Sequence, residues 1–248
     1  MRGVIFDIES KYAHFRKVYT NSSSLTYSVP PRTTLEGIIA AILGYERDTY
    51  YKMLDSSSVN IAVKKNCPTY TMTHTLNYIK AVSPGELVKP KEHTQIPVEI
   101  LAAEANVSYR VYVAGDSFED LETLIRRIKH EKYVFPPTMG TAFFLADISF
   151  VAEADFKRYF TDETVPIATV INTELVDKLD LGIAMDSRHE MSLYKEKMPK
   201  DFGEGRILQP AVSYFVETSG KPIYAKLKEG VSCWKVSYGK MEEVIVFL

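Results

Sequence analysis

The residues best placed to do chemistry in this chain are Lys129 and His130, adjacent in sequence, and His14, which lies two residues from Arg16. Cleaving RNA without a metal takes a base for the ribose 2′-hydroxyl, a cation for the phosphorane and an acid for the leaving oxygen. Lys129 and His130 offer two of these. Adjacent residues on a helix point about 100° apart, so both can serve one groove only where it wraps the helix end. The plainer alternative is favourable charge at a helix C-terminus. His14 with Arg16 suits phosphate binding as well as base catalysis. The five histidines (His14, His74, His93, His130 and His189) are scattered, with no pair at metal-ligand spacing on one helix face. No phosphate-binding Gly-Lys loop, dinucleotide fingerprint, HExxH, CxxC or GxSxG motif occurs, so neither a metal nor a cofactor is expected.

Charge distribution says more than the total, which is −2 from 30 basic and 32 acidic residues. A chain this close to neutrality is not a simple nucleic-acid coat. From Ser10 to Leu35 there is no acid, and Lys11, Arg16, Lys17 and Arg32 are interleaved with Tyr12, His14, Phe15, Tyr19 and Tyr27. A second acid-free tract, Ser56 to Gly85, holds Lys64, Lys65, His74 and Lys80, with Lys89 and Lys91 just beyond. Cations grip phosphates, while aromatic faces stack on unpaired bases at ~1–3 kcal/mol each, and single-stranded RNA needs both. The alternative is solvated loop charge and tyrosines that merely suit strands. Arg32 falls just before an expected helix N-terminus, where free N–H groups attract anions, with Glu36 partly opposing it.

The elements that must position these residues follow from period and punctuation. Arg2 to Glu9 alternates as a first strand, and a long polar segment, Ser10 to Pro31, follows it. Thr33 and Glu36 make a capping box for a helix striped by Leu35, Ile38, Ile39, Ile42 and Leu43 and stopped by Gly44. Val59 to Lys65, Thr69 to Lys80, Gln95 to Ala102 and Val107 to Ala114 read as strands, the middle two forming a projecting hairpin arm over about 69–102. Ser117 caps a second helix striped by Leu121, Leu124, Ile125 and Ile128, and a strand over Ala142 to Ala152 follows the Pro136 to Gly140 turn. The order strand, helix, strand, strand, helix, strand predicts an α+β, ferredoxin-like or RRM-like domain over 1–154, elaborated by the arm. Short strands and turn signals predict a small β-rich domain over 155–248.

Composition, at 46% hydrophobic and 25% charged, excludes disorder, collagen and coiled coil. The most apolar run, Gly37 to Gly44, is far too short for a bilayer, and Asp7 and Glu9 spoil an export signal, so no membrane contact and a cytoplasmic location are expected. Only Cys67 and Cys233 occur, which fits a reducing compartment.

The residues Ala13-His14-Phe15-Arg16-Lys17, Leu25-Thr26-Tyr27 and Pro30 through Gly44 (PPRTTLEGIIAAILG) together resemble the N-terminal signature of the Cas-five family. These are RAMP-superfamily subunits of type I CRISPR effector complexes. Thr94 to Leu101, the VSYRVYV strand and the turn Thr138-Met139-Gly140 fall in family-like order, and Pro199 to Arg206 resembles the type I-B branch. The resemblance implies a RAMP domain with a hairpin thumb that binds the 5′ handle of the CRISPR RNA. On that reading Arg16, Lys17 and Arg32 meet phosphates, and Tyr12, His14, Phe15 and Tyr27 meet splayed bases. Lys80, Lys89 and Lys91 on the arm, with Met139 and Gly140 in the turn, meet the adjoining RNA. Implied partners are a Cas-seven-type backbone subunit, a Cas-eight-type large subunit and a Cas-six endonuclease, with target DNA reached only through the complex. Relatives in the type I-C branch cut precursor RNA with a Tyr, Lys and His, so the rival expectation is a metal-independent endoribonuclease using Lys129, His130 or His14.

Overall fold

Alternation in the first strand decides how the chain layers. In β1 (Arg2–Ser10), Val4, Phe6 and Ile8 enter one hydrophobic core and Ile5 enters another on the opposite face, so this strand is covered on both sides. The computed structural model describes residues 1–182 and 192–248, and His189 lies outside them. After β1 come β2 (Phe15–Arg16), β3 (Thr26–Tyr27), α1 (Arg32–Leu43), β4 (Asn60–Lys65), β5 (Tyr70–Lys80), α2 (Pro84–Val88) and β6 (Glu92–Ala102). They are followed by β7 (Val107–Ala114), α3 (Leu121–Lys129) and β8 (Asp147–Tyr159). The strands that follow are β9 (Val165–Ile167), β10 (Ile171–Asn172), β11 (Val176–Leu179), β12 (Leu193–Met198), β13 (Val212–Glu217), β14 (Ile223–Leu227), β15 (Cys233–Tyr238) and β16 (Met241–Ile245), with single 3-10 turns at Thr173–Leu175 and Glu204–Arg206.

Four strands stand in the order β8-β1-β7-β4, all antiparallel, with α1 and α3 against the same face. This is the ferredoxin-like arrangement the element order predicts. The strand expected from Ala142 starts only at Asp147, because 136–146 folds as a loop. The expected division at 154/155 falls inside β8. Its start pairs with β1 and its end pairs with β15, from Phe156↔Val236 to Tyr159↔Cys233, so β15, β16, β9, β14 and β11 extend the same nine-stranded sheet. A separate three-stranded sheet, β10-β13-β12, adds Tyr214, Val216 and Met198 to the helix-side core. No helix among the described residues is long and apolar enough to cross a membrane.

Both helices bury the expected stripes, but neither starts as expected. The N-cap of α1 is Pro31, with no side-chain cap, and Glu36 turns instead to Arg32 one turn back. A buried carboxylate gains more from a guanidinium than from a backbone N–H. In α3 the N-cap is Asp120, not Ser117, and its carboxylate accepts the Tyr45 hydroxyl. Gly44 ends α1 in the left-handed conformation, its N–H returning to the Ala40 carbonyl.

Away from the helices, charge is buried in a chain of contacts. Arg110 donates twice to Asp7 (2.9 and 2.8 Å) and once to the Tyr238 hydroxyl (2.9 Å). Tyr238 and Tyr112 both donate to Glu243 Oε2, at 2.6 and 2.5 Å, while Lys64 meets Oε1. Burial pushes the Glu243 carboxyl up, but these three donors hold it below the ordinary carboxylate range. A depressed carboxyl stabilises the fold above its unfolded pKa, and that contribution is lost as pH falls through the folded one. Glu243→Gln should therefore cost about 3 kcal/mol at neutral pH and flatten the acid limb of stability. Urea midpoints measured across that limb check it, and an unchanged acid limb would show that the carboxylate carries none of it.

Candidate nucleic-acid interface

The segment 10–31 is a ribbon rather than a loop. Ala13 exchanges backbone bonds with Leu101 of the arm (3.1 and 2.8 Å), Ser24 N–H donates to Pro97 O (2.9 Å), Glu99 N–H donates to Ser24 O (2.9 Å), and β2 pairs with β3. Ribbon pairing sends alternate residues inward, which decides the fate of its aromatics. Phe15 and Tyr27, expected on bases, are core residues: Phe15 packs edge-on to Tyr109 with ring centroids 5.8 Å apart, and Tyr27 is fully buried. Tyr12 is on the outside, its ring 6.0 Å from that of Phe144.

The basic residues divide likewise. Arg16 is exposed, with one bond to the Thr20 carbonyl (3.3 Å). Lys17 is held internally by Glu196 (2.9 Å) and lies over the Tyr27 ring. Burial pulls its ammonium down, and the pair with Glu196 more than offsets this, leaving it raised. Arg32 is the largest correction: it is the first residue of α1 and only 1% exposed. Its Nη1 meets Glu36 and Asp201 (2.8 Å), and its Nη2 donates to the Leu54 and Val59 carbonyls (2.9 and 2.6 Å). It is a core anchor with no reach to a phosphate.

His14 is also buried. Its Nδ1 donates to the Glu99 carbonyl (2.6 Å), and Nε2 accepts from the Ser24 hydroxyl (2.9 Å). Burial and the Arg16 charge lower its pKa against the pull of Glu99, so the ring is neutral and pins ribbon to arm instead of waiting as a base. Lys129 meets Glu153 and lies over the Phe150 ring, while the exposed His130 follows the last turn of α3. The two are not assembled as a base and cation couple. On the arm Lys80 pairs with Glu92 (3.0 Å), and Lys89 and Lys91 are exposed at the tip. Among the described residues no three His, Cys, Asp or Glu side chains converge as a metal site.

The loop 136–146 packs onto the ribbon. Met139, fully buried, accepts the His14 N–H (3.0 Å), and Gly140 has φ +96°. A Cβ there would sit 2.0 Å from the His14 carbonyl oxygen, so only glycine fits. Ribbon, loop and the start of α1 enclose a cleft of 360 Å³, closed on its far side by Pro199, Phe202 and Arg206. Arg16 and Arg206 face it with Thr33, Thr34, Thr138 and Thr141, and among the described residues no carboxylate lines it. The Thr141 hydroxyl is buried without a partner among the described residues. Such a cleft, cationic, rich in donors and set at a helix N-terminus, suits phosphate. Phe143, 88% exposed, stands on the loop beside it.

Sequence reasoning missed Arg206, which lies 190 residues from Arg16 and whose only local signal is the glycine-rich turn Gly203-Glu204-Gly205. Gly205 and Arg206 both have positive φ (65° and 63°), and the guanidinium lies over the Phe202 ring. Phe143 was missed because it reads as part of a strand.

A family model described as CRISPR-associated protein (Cas_Cas5) matches residues 3–130. No curated protein matches the chain. Among solved structures, a CRISPR protein from Archaeoglobus fulgidus superposes with a TM-score of 0.51 at 12% identity, over 98% of both chains. A chain of the Type III-B Cmr-beta complex bound to cognate target RNA and AMPPnP superposes with a TM-score of 0.52 at 12% identity, over 91% of this chain and 86% of that one. At those identities the likeness is one of fold.

Gly140→Ala should lower stability by at least about 2 kcal/mol, since it combines left-handed strain with collision against the His14 backbone. Denaturant unfolding measures it, and an unchanged midpoint would mean that the loop stands clear of the ribbon.

Proposed function

This chain belongs to the CRISPR-associated Cas_Cas5 family, and on that premise we propose that it is an RNA-binding subunit of a CRISPR effector complex. The finer reading is that it holds the 5′ handle of the CRISPR RNA in a type I-B complex, in the cytoplasm. It would stand beside a Cas-seven-type backbone subunit and a Cas-eight-type large subunit, with a Cas-six endonuclease as a further partner and target DNA met only through the assembly. The observation that carries RNA binding is the cleft flanked by Arg16 and Arg206, which no carboxylate of the described residues lines. Residues 1–154, with the arm, act as the RNA-binding part, and 155–248 act as a smaller β-rich part that closes the cleft.

Arg16 and Arg206 grip handle phosphates, with the threonine hydroxyls and the start of α1 completing the donor set. Tyr12 and Phe143 offer exposed rings to bases. The chain binds without cutting, because Lys129 is held by Glu153 and both nitrogens of His14 are engaged.

Incubation with labelled repeat RNA in EDTA, at two or more salt concentrations, tests this. A salt-sensitive shift without cleavage is expected. Arg16→Ala with Arg206→Ala should weaken binding at least about tenfold and reduce the log–log salt slope by about 1.4, at ~0.7 per phosphate released. Unchanged affinity and slope would overturn the assignment, and a cut at the handle boundary that disappears in His130→Ala would install the endoribonuclease in its place.

A further inference from the structure

We infer that the outer edge of β5 is a strand-addition site, covered in the working protein by an extended segment of a different polypeptide. A sheet edge presents a row of free N–H and C=O groups, and folded proteins shorten, charge or cover such edges to prevent indiscriminate pairing. Among the described residues the other terminal strands follow that rule. The outer edge of β4 is covered, with Leu248 N–H donating to Ile61 O (2.9 Å) and Val170 N–H to Val63 O (3.0 Å). At the far end of the large sheet, β11 has four residues, two of them Asp177 and Lys178. The β12 edge carries Lys195, Glu196 and Lys197, and β10 is two residues long. Even the partner strand in the arm is protected, since β6 contains Pro97 and its base is covered by Ala13 and Ser24.

The exception is β5. It has eleven residues, YTMTHTLNYIK, spanning ~36 Å, exposed along almost its whole length and without a formal charge before Lys80. Its only strand partner among the described residues is β6, in unbroken register from Tyr70↔Ala102 to Lys80↔Glu92. Threonine, tyrosine and isoleucine give it high strand propensity, so its free edge is primed to pair.

Alternating donors and acceptors at this spacing match another peptide strand, the mode by which recognition domains add a strand. A second copy of this chain fits poorly. Full antiparallel overlap would run the eleven-residue tip of each arm (81–91) beyond Tyr70 of the other, where the chain has already turned into the body: β4 ends at Lys65, four residues before Thr69. An extended segment carries no such tip. Lys89 and Lys91 are exposed without carboxylate partners among the described residues, which favours a segment uncharged for about eight residues and acidic at the end nearest the tip.

The test is amide hydrogen exchange over residues 70–80, in the isolated chain and in tagged chain purified with its partners from its own host. The outward half of these amides should exchange at least about tenfold more slowly in the purified assembly. Thr73→Lys with Thr75→Lys, both at exposed positions, should abolish that protection and release the partner while leaving the melting temperature unchanged. Exchange at the free-chain rate in the assembly overturns the proposal. So does concentration-dependent protection in the isolated chain, which would assign the edge to a second copy, or protection removed by ribonuclease, which would assign it to RNA. Whether RNA copurifies reports separately on the function proposed above.

Discussion

The buried guanidinium of Arg32 is the contact on which the cleft depends. It joins the first turn of α1, the carbonyls of Leu54 and Val59, and Asp201, which also accepts the Ser56 N–H and hydroxyl at 2.9 and 2.7 Å. Pro199, Phe202 and Arg206, which make the far wall, all lie within five residues of Asp201. Burial pushes the neighbouring Glu36 carboxyl up to about 8, with Arg32 pulling the other way and Asp201 adding to the rise. A cluster in such tension is a poor source of net stability, because desolvation opposes each attraction. What it supplies is geometry, fixing a wall built by the last fifty residues against a helix built in the first forty-five.

The same cluster shows why an acid-free tract in sequence is not an acid-free region in space. Lys17 meets Glu196, Arg32 meets Asp201 and Lys64 meets Glu243, each pairing a cation of the first seventy residues with an acid far along the chain. The broad basic surface that the N-terminal composition implies is largely neutralised by the C-terminal half. What remains for an anion is narrower and more directional: Arg16 and Arg206 across a cleft, and a lysine pair at the arm tip.

Much of the scaffold was legible because it rests on local period. The stripes of α1 and α3, the bounds of β7 and the pairing of the hairpin arm follow from spacing within single segments, though not the short helix α2 at its tip or the start of β6 at Glu92. The site was only partly legible. Which residues of 10–31 turn inward depends on pairing with the arm and with the loop at 139, so Phe15 and Tyr27 could not be told from Tyr12 by type. The fate of Arg32 turned on Asp201, 169 residues away, and that of the Thr33–Glu36 box on the ion pair which displaced it. Arg206 enters through chain topology alone.

The thirteen residues of β8 have a consequence for how such a chain can be inherited. One strand borders β1 from Asp147 to Asp155 and β15 from Phe156 to Tyr159, with no break in its backbone between them. A recombination junction near residue 154 would cut a hydrogen-bonded strand in two, leaving each product with a raw edge and half of a shared core. The four-stranded half and the sheet that extends it are therefore joined as one unit of descent, and the sites free to accept insertions are the turns at the sheet ends and the tip of the arm.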